Sequence, residues 1–315
     1  MWQLSGGALL GWSLGANDAA NVFGTAVSAR MVKYSTAVIL TSVFVVLGAW
    51  LQGGQGLETY RDLHAQNLNT AFITTLSAAS IVGLMTFLSI PVSTSQAIVG
   101  AIAGIAAALY IVEGRCGMEW GSMVKILICW IMTPAGAAFA AVIIYGLFKL
   151  VFRIWNPSLL TRNTSVKVLL IGAGSYAAYA LGANNLANVT GPFFGPGRSM
   201  LTGGQAALLG GTAIAMGVLT FSRRVMHTVG RRIVPLDPLS ALVTICAEAV
   251  TVHVYAIIGV PVSTSQAIVG AVAGIGIIKG MQTVDRRVLS GICIGWVLTP
   301  VGAALLACLL SLLFL

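Results

Sequence analysis

Residues 91–105 read PVSTSQAIVGAIAGI and residues 261–275 read PVSTSQAIVGAVAGI, identical at fourteen of fifteen positions. Two further stretches repeat in the same order. GANDAANVFG (15–24) is echoed by GANNLANVTG (182–191), and WIMTPAGAA (130–138) by WVLTPVGAA (296–304). The offsets are 170, 167 and 166 residues, so a whole half of the chain is duplicated. Two copies of one unit must then pack on each other. Such duplication is a common origin of transporter folds, whose sites lie where the repeats meet.

The repeats are written in an apolar language. Only 8% of the 315 residues are charged and the mean hydropathy is +0.94; a soluble domain is about 25% charged. Runs of transmembrane length recur from end to end, and in hydrocarbon a backbone satisfies its hydrogen bonds as helix. The expected fold is all-α and polytopic, with about 10–12 membrane segments and some broken or re-entrant half-helices. Five candidate segments fall at 2–28, 35–53, 68–90, 96–112 and 122–148, and five more at 166–194, 203–222, 239–260, 266–279 and 288–314. The units are read as 1–150, a basic cytoplasmic linker 151–165, and 166–315. The first run continues into Asn17, Asp18 and Asn21, which have their own counterparts later, so it is not read as a removable signal.

An odd number of crossings per half makes the halves antiparallel, an inverted repeat, and the charges test this. With Lys149, Arg153, Arg162 and Lys167 in the cytoplasm, 13 of the 17 basic residues fall inside: these four, Arg30, Lys33, Arg223, Arg224, Arg231, Arg232, Lys279, Arg286 and Arg287. Arg61, Arg115, Lys125 and Arg198 fall outside, and both termini are expected outside. The net charge of +9 therefore reads as topology rather than affinity for nucleic acid. The five cysteines show no ligand spacing. There is no Walker motif, metal cluster or nucleophile–base pair, so neither an enzyme nor a resident cofactor is expected.

Of eight carboxylates, only Asp18 and Glu248 lie inside apolar segments. A charge there costs about 2.5–3.5 kcal/mol or more on insertion scales, so something must offset it. An interhelical hydrogen bond or a protonated acid would suffice. Around Asp18, however, Asn17 and Asn21 add amide oxygens among small residues, a donor set that suits Na⁺, with H⁺ as the other candidate. The surroundings of Glu248 are less specific.

Pro91 and Pro261 break any helix running into them, and Ser93 or Ser95, and Ser263 or Ser265, can cap the helix that follows. Helix N-termini opening at membrane depth offer free N–H groups and partial positive charge, which bind oxyanions. Hydroxyls of Ser93, Thr94, Ser95, Ser263, Thr264 and Ser265 add uncharged donors. Purely structural caps remain the competing reading. The runs such as VGAIAGI (99–105) read as helix-packing surfaces, and the tryptophans mostly as interfacial belts. His253 reads either as a proton relay or as a packed side chain.

GANDAANVFGTAVSAR (15–30), the duplicated PVSTSQAIVGA and SRRVMHTVGRRIVPLDP (222–238) resemble the inorganic phosphate transporter, PiT-like, family, which also contains sulfate permeases. The resemblance implies a secondary carrier that takes up an inorganic oxyanion with a cation, often as a homodimer. It places anion ligands at Ser93, Thr94, Ser95, Gln96, Ser263, Thr264, Ser265 and Gln266. It places cation ligands at Asn17, Asp18 and Asn21 and at Asn184, Asn185 and Asn188. Three departures stand out. The second copy has Asn185 where the family has Asp, Val45 stands at a usual Glu, and a second family Glu would fall near Ile245, with Glu248 one turn later. The expected function is phosphate import coupled to Na⁺ or H⁺, with sulfate uptake and an anion channel as alternatives. The absence of an organelle-targeting extension suits a plasma or inner membrane.

Overall fold

The computed structural model describes residues 2–63, 67–114, 117–195, 198–199, 201–232, 236–280 and 286–314. Arg115 and Cys116 lie outside the described residues. The helices are α1 (Leu4–Ser28), α2 (Tyr34–Gln52), α3 (Leu57–Leu63), α4 (Leu68–Phe87), α5 (Thr94–Glu113), α6 (Trp120–Trp155), α7 (Leu159–Thr190), α8 (Gly203–Arg232), α9 (Pro238–Ile258), α10 (Thr264–Lys279) and α11 (Arg286–Phe314). A 3-10 turn (Gly53–Gly56) leads into α3, and Phe194–Gly195 pairs with Arg198–Ser199 in a two-residue antiparallel ribbon. The basic stretch between the halves is almost all helix, with only Asn156–Ser158 separating α6 from α7.

Local chemistry fixes the helix ends. Asn67 and Thr70 form a reciprocal capping box on α4. Asp237 caps α9, whose first residue is Pro238, and Glu119 and Ser158 cap α6 and α7. Among the described residues, eight helices are long and apolar enough to span a bilayer. α1 has 25 residues but a polar centre, and α10 has only 16. Large apolar side chains line the outer faces of α6 and α11, among them Ile131, Phe139, Ile154, Val297, Leu305 and Leu313. In water that surface would be a liability; in a bilayer it is solvated by lipid.

Close approaches set the helix directions. Gly7 lies against Val189 and Gly174 against Phe23, so α1 and α7 run antiparallel. Gly6 lies against Thr75, Ser13 donates to the Ala79 carbonyl and Asn17 to Thr86, so α4 runs with α1. Tyr176 meets His253 and Asn184 meets Val262, so α9 runs with α7. α4 and α9 therefore enter from opposite faces.

Both then turn back. The Glu119 N–H at the end of the first turn-back donates to the Leu63 carbonyl just before α4 (3.0 Å). Lys279, ending α10, pairs with Asp237 at the start of α9. Each of α4–α5 and α9–α10 is a hairpin that leaves by the face it entered. Hydropathy counts five segments per half; the structure has three through-going helices and one hairpin per half, because an apolar run carries no record of its direction. The count of crossings stays odd. α1 starts and α11 ends at one face. The opposite face collects Arg30, Lys33, Lys149, Arg153, Arg162, Lys167, Arg223 and Arg224.

The halves exchange equivalent partners. α1 packs on α8 and α7 on α2; α5 packs on α11 and α10 on α6. The last two contacts are very close. A Cβ on Gly100 would sit 2.3 Å from the Pro300 carbonyl oxygen, and one on Gly270 2.2 Å from that of Pro134. Both glycines are required for this approach.

Candidate functional site

The two Pro-Val-Ser-Thr-Ser stretches meet at the molecular centre. Ser93 accepts the Gln96 N–H and Ser263 the Gln266 N–H, both at 3.2 Å, so the first serine of each stretch is the N-cap. The second serine reaches across. Ser95 Oγ donates to the Val262 carbonyl (2.9 Å), and Ser265 Oγ to the Val92 carbonyl (2.8 Å). This reciprocal pair closes the two helix N-termini on each other. By helix geometry the N–H groups of Thr94 and Ser95, and of Thr264 and Ser265, have no intrahelical partner.

The asparagines of α1 and α7 hold this centre. Asn17 accepts the Val92 N–H (3.1 Å) and donates to Thr86 and the Ile90 carbonyl; Asn184 accepts the Val262 N–H (3.2 Å) and donates to its carbonyl (2.8 Å). Each of these two clamps the extended strand of its own half. Asn21 and Asn188 instead cross between halves. Asn21 donates to Thr264 and Ser265 (3.2 Å each), and Asn188 to Ser95 (3.0 Å). Asn185 donates to the Leu181 carbonyl and accepts from Asn188.

The halves then diverge. Beside the second, Tyr60 of α3 donates its hydroxyl to Asn188. Beside the first stand Asp18 and Glu248. The Thr264 hydroxyl donates to Asp18, and Glu248 lies close enough for the two carboxylates to act on each other. Among the described residues, Asp18 Oδ1, Asn21 Oδ1 and Glu248 Oε2 have no hydrogen-bond partner, nor have Thr94 Oγ1, Gln96 Oε1 and Gln266 Oε1. A buried acceptor without a donor is costly. Three such oxygens on one side, two of them carboxylate, fit a hard cation. The centre is closed: Ser93, Thr94, Ser95, Gln96 and their four counterparts are at most 5% exposed. Surface hollows, one beside Trp2 and Phe72 and one beside Gln52 and Glu58, lie elsewhere.

The residues expected to bind the anion and the cation lie at this centre or its flank. Tyr60 and Thr86 were not anticipated; Tyr60 belongs to LETYRDL, which has no copy in the other half to mark it. His253 bridges Tyr176 and Gln52, 2.6 Å to each, away from the anion loops. Trp130 and Trp296 are not belt residues: Trp130 is 9% exposed, Trp296 is partly buried, and both indole N–H groups point inward without a partner among the described residues.

Helices that double back from both faces to a polar, donor-rich centre define a multi-pass membrane transporter. A profile of the phosphate transporter family matches residues 14–307, and the chain belongs to that family. It is 28% identical to a protein of Thermococcus kodakarensis named "Putative phosphate permease TK2061", over 97% of this chain and 95% of that one. It is 29% identical to the sulfate permease CysP of Bacillus subtilis, over 96% of this chain and 84% of that one. A solved structure titled the sodium-dependent phosphate transporter superposes with a TM-score of 0.85 at 22% identity, covering 99% of both chains, a likeness of fold. The family and that neighbour are transporters, not enzymes.

Proposed function

We propose that the chain imports inorganic phosphate together with a cation, Na⁺ in preference to H⁺, through the centre built by Ser93–Gln96 and Ser263–Gln266. The observation that carries this reading is the reciprocal Ser95–Val262 and Ser265–Val92 pair, which points two helix N-termini at one place. Partial positive charge and free N–H groups recognise an oxyanion without placing a full charge in the membrane. Asp18, Asn21 and Glu248 lie against the same loops and would hold the cation, so that occupation of one site favours the other through Thr264 and Ser265. An anion channel has no use for a buried acid pair. We read the halves, bounded as 1–150 and 166–315, as an inverted repeat, with the basic face cytoplasmic and the termini outside, in the plasma or inner membrane.

Sulfate is the second reading. Asn185 puts a neutral amide where an acid would receive the phosphate proton, and a sulfate permease is among the relatives. The test is labelled phosphate uptake into proteoliposomes under an imposed Na⁺ or H⁺ gradient, with unlabelled sulfate as competitor. Gradient-dependent uptake that ignores sulfate is the expected outcome. Accumulation of labelled sulfate in its place would give the site to sulfate.

A further inference from the structure

Serine and threonine in a membrane helix ordinarily satisfy their hydroxyl by donating to the carbonyl one turn back. In this chain Thr41 bonds Ala37, Thr86 bonds Val82, Thr133 bonds Cys129, Thr190 bonds Leu186, Thr251 bonds Ala247 and Thr299 bonds Gly295. Thr25 and Ser28 on α1, Thr244 on α9, and Thr74 and Ser77 on α4 depart from this. Their oxygens are buried and have no hydrogen-bond partner among the described residues. Thr25 is 6% exposed and Thr244 is fully buried.

Their placement is ordered. Asp18, Asn21, Thr25 and Ser28 follow at helical spacing along one face of α1, which runs toward the basic face. α9 packs on α1 and runs the opposite way, so Thr244, one turn before Glu248, lies on the basic side of that carboxylate. Exposure rises along α1 from fully buried Asn21, through Thr25, to half-buried Ser28 and exposed Arg30. The result is a file of oxygens leading from the carboxylate pair to the surface. The symmetry-related flank of α7 and α4 keeps only part of this file: Thr74, the counterpart of Thr244, is likewise fully buried without a partner among the described residues. By the repeat offsets, Pro192 and Gly195 stand where α1 has Thr25 and Ser28, and Asn185 and Ala78 where the carboxylates would be.

We propose that Thr25, Ser28 and Thr244 line the route by which the coupling cation passes between the Asp18–Glu248 pair and the basic face. Their oxygens replace part of the hydration shell of a small monovalent cation, which cannot cross dry helix packing unaided. Among the described residues, only the α1–α9 flank joins such oxygens to buried carboxylates, so the two symmetry-related flanks have different tasks. This rests on the reading of the chain as a cation-coupled carrier.

The test uses sodium NMR on the purified full chain, which reports both binding of Na⁺ and its exchange with bulk. In the double variant Thr25→Val, Thr244→Val, bound–free exchange slows about tenfold, as expected on losing ligand oxygens along a path, while affinity at saturation stays within about twofold. Thr25→Ser keeps the oxygen and exchanges as the parent does. Thr41→Val, whose hydroxyl is committed to its own helix, also exchanges normally, and a monodisperse elution profile controls for folding. Unchanged exchange in the double valine variant, or no bound sodium in the parent, overturns the route. Phosphate uptake is measured separately on the same preparation, so a chain that binds sodium but carries no phosphate counts against the proposed function and not against the route.

Discussion

Asp18 is a carboxylate that the bilayer would reject unless the protein had a use for it. Its Thr264 contact satisfies one oxygen and leaves the other free. Asp18→Asn preserves shape and the Thr264 contact but removes the charge. The variant is expected to insert and elute as the parent does, and to lose gradient-driven uptake by at least about a hundredfold, the effect of removing a buried charged ligand. Normal uptake by that variant would falsify the coupling role. Ser95 and Ser265 tie the halves together, so each change to alanine removes a donor and strands a buried carbonyl. A loss of about 1–3 kcal/mol of stability is expected from either, read as a lowered midpoint in thermal unfolding in detergent. Near-equal losses from the two would follow from their equivalent bonds.

At the scale of helices, the tight pairs α5–α11 and α10–α6 are the most easily broken. Gly100→Ala would push a methyl onto the backbone of Pro300, which cannot swing aside as a side chain could. Destabilisation of about 1–3 kcal/mol is expected, measured by the same thermal assay, with Gly270→Ala similar. The second hairpin is fastened at its mouth by Asp237, which caps α9 and pairs with Lys279 of α10. Partial burial pushes the Asp237 carboxyl up, but hydrogen bonds from Lys279 and Ser240 outweigh it and hold it below the usual carboxylate range. A depressed value means stability that is present above about pH 4 and is lost as pH falls through the folded-state value. The pair is well exposed, so Asp237→Asn, which keeps the cap, costs less than about 1 kcal/mol at pH 7. The difference from the parent should vanish in unfolding measured near pH 2.

Across the whole molecule, three through-going helices and a hairpin per half put one doubled-back segment at each face. Equivalent loops then reach the centre from opposite sides, which suits alternation between two openings about one site. The structure holds that site closed to both faces. The charge asymmetry separates the two flanks of the centre: the two buried acids stand beside α1, Tyr60 and satisfied amides beside α7. One cation site is expected in place of two. The dependence of phosphate uptake on Na⁺ concentration should therefore be hyperbolic, with a Hill coefficient near one. A clearly sigmoidal dependence would contradict a single coupling ion.

The sequence by itself determined the helical, membrane-embedded class, the duplication and the residues of the centre. Those properties are local: hydropathy sets the medium, proline and serine set where α5 and α10 begin, and repeated motifs mark both copies of one site. Three things needed the tertiary structure. Whether an apolar segment crosses or turns back depends on packing, and α4 and α9 look like any spanning helix until Glu119 is seen beside Leu63 and Lys279 beside Asp237. Which serine caps and which one bridges depends on the partner half, since Ser93 and Ser95 are equally good caps in isolation. The roles of Thr25, Thr244 and Tyr60 follow only from their surroundings. A threonine in a membrane helix is unremarked when it bonds its own carbonyl, and informative only when the fold leaves its oxygen without a donor.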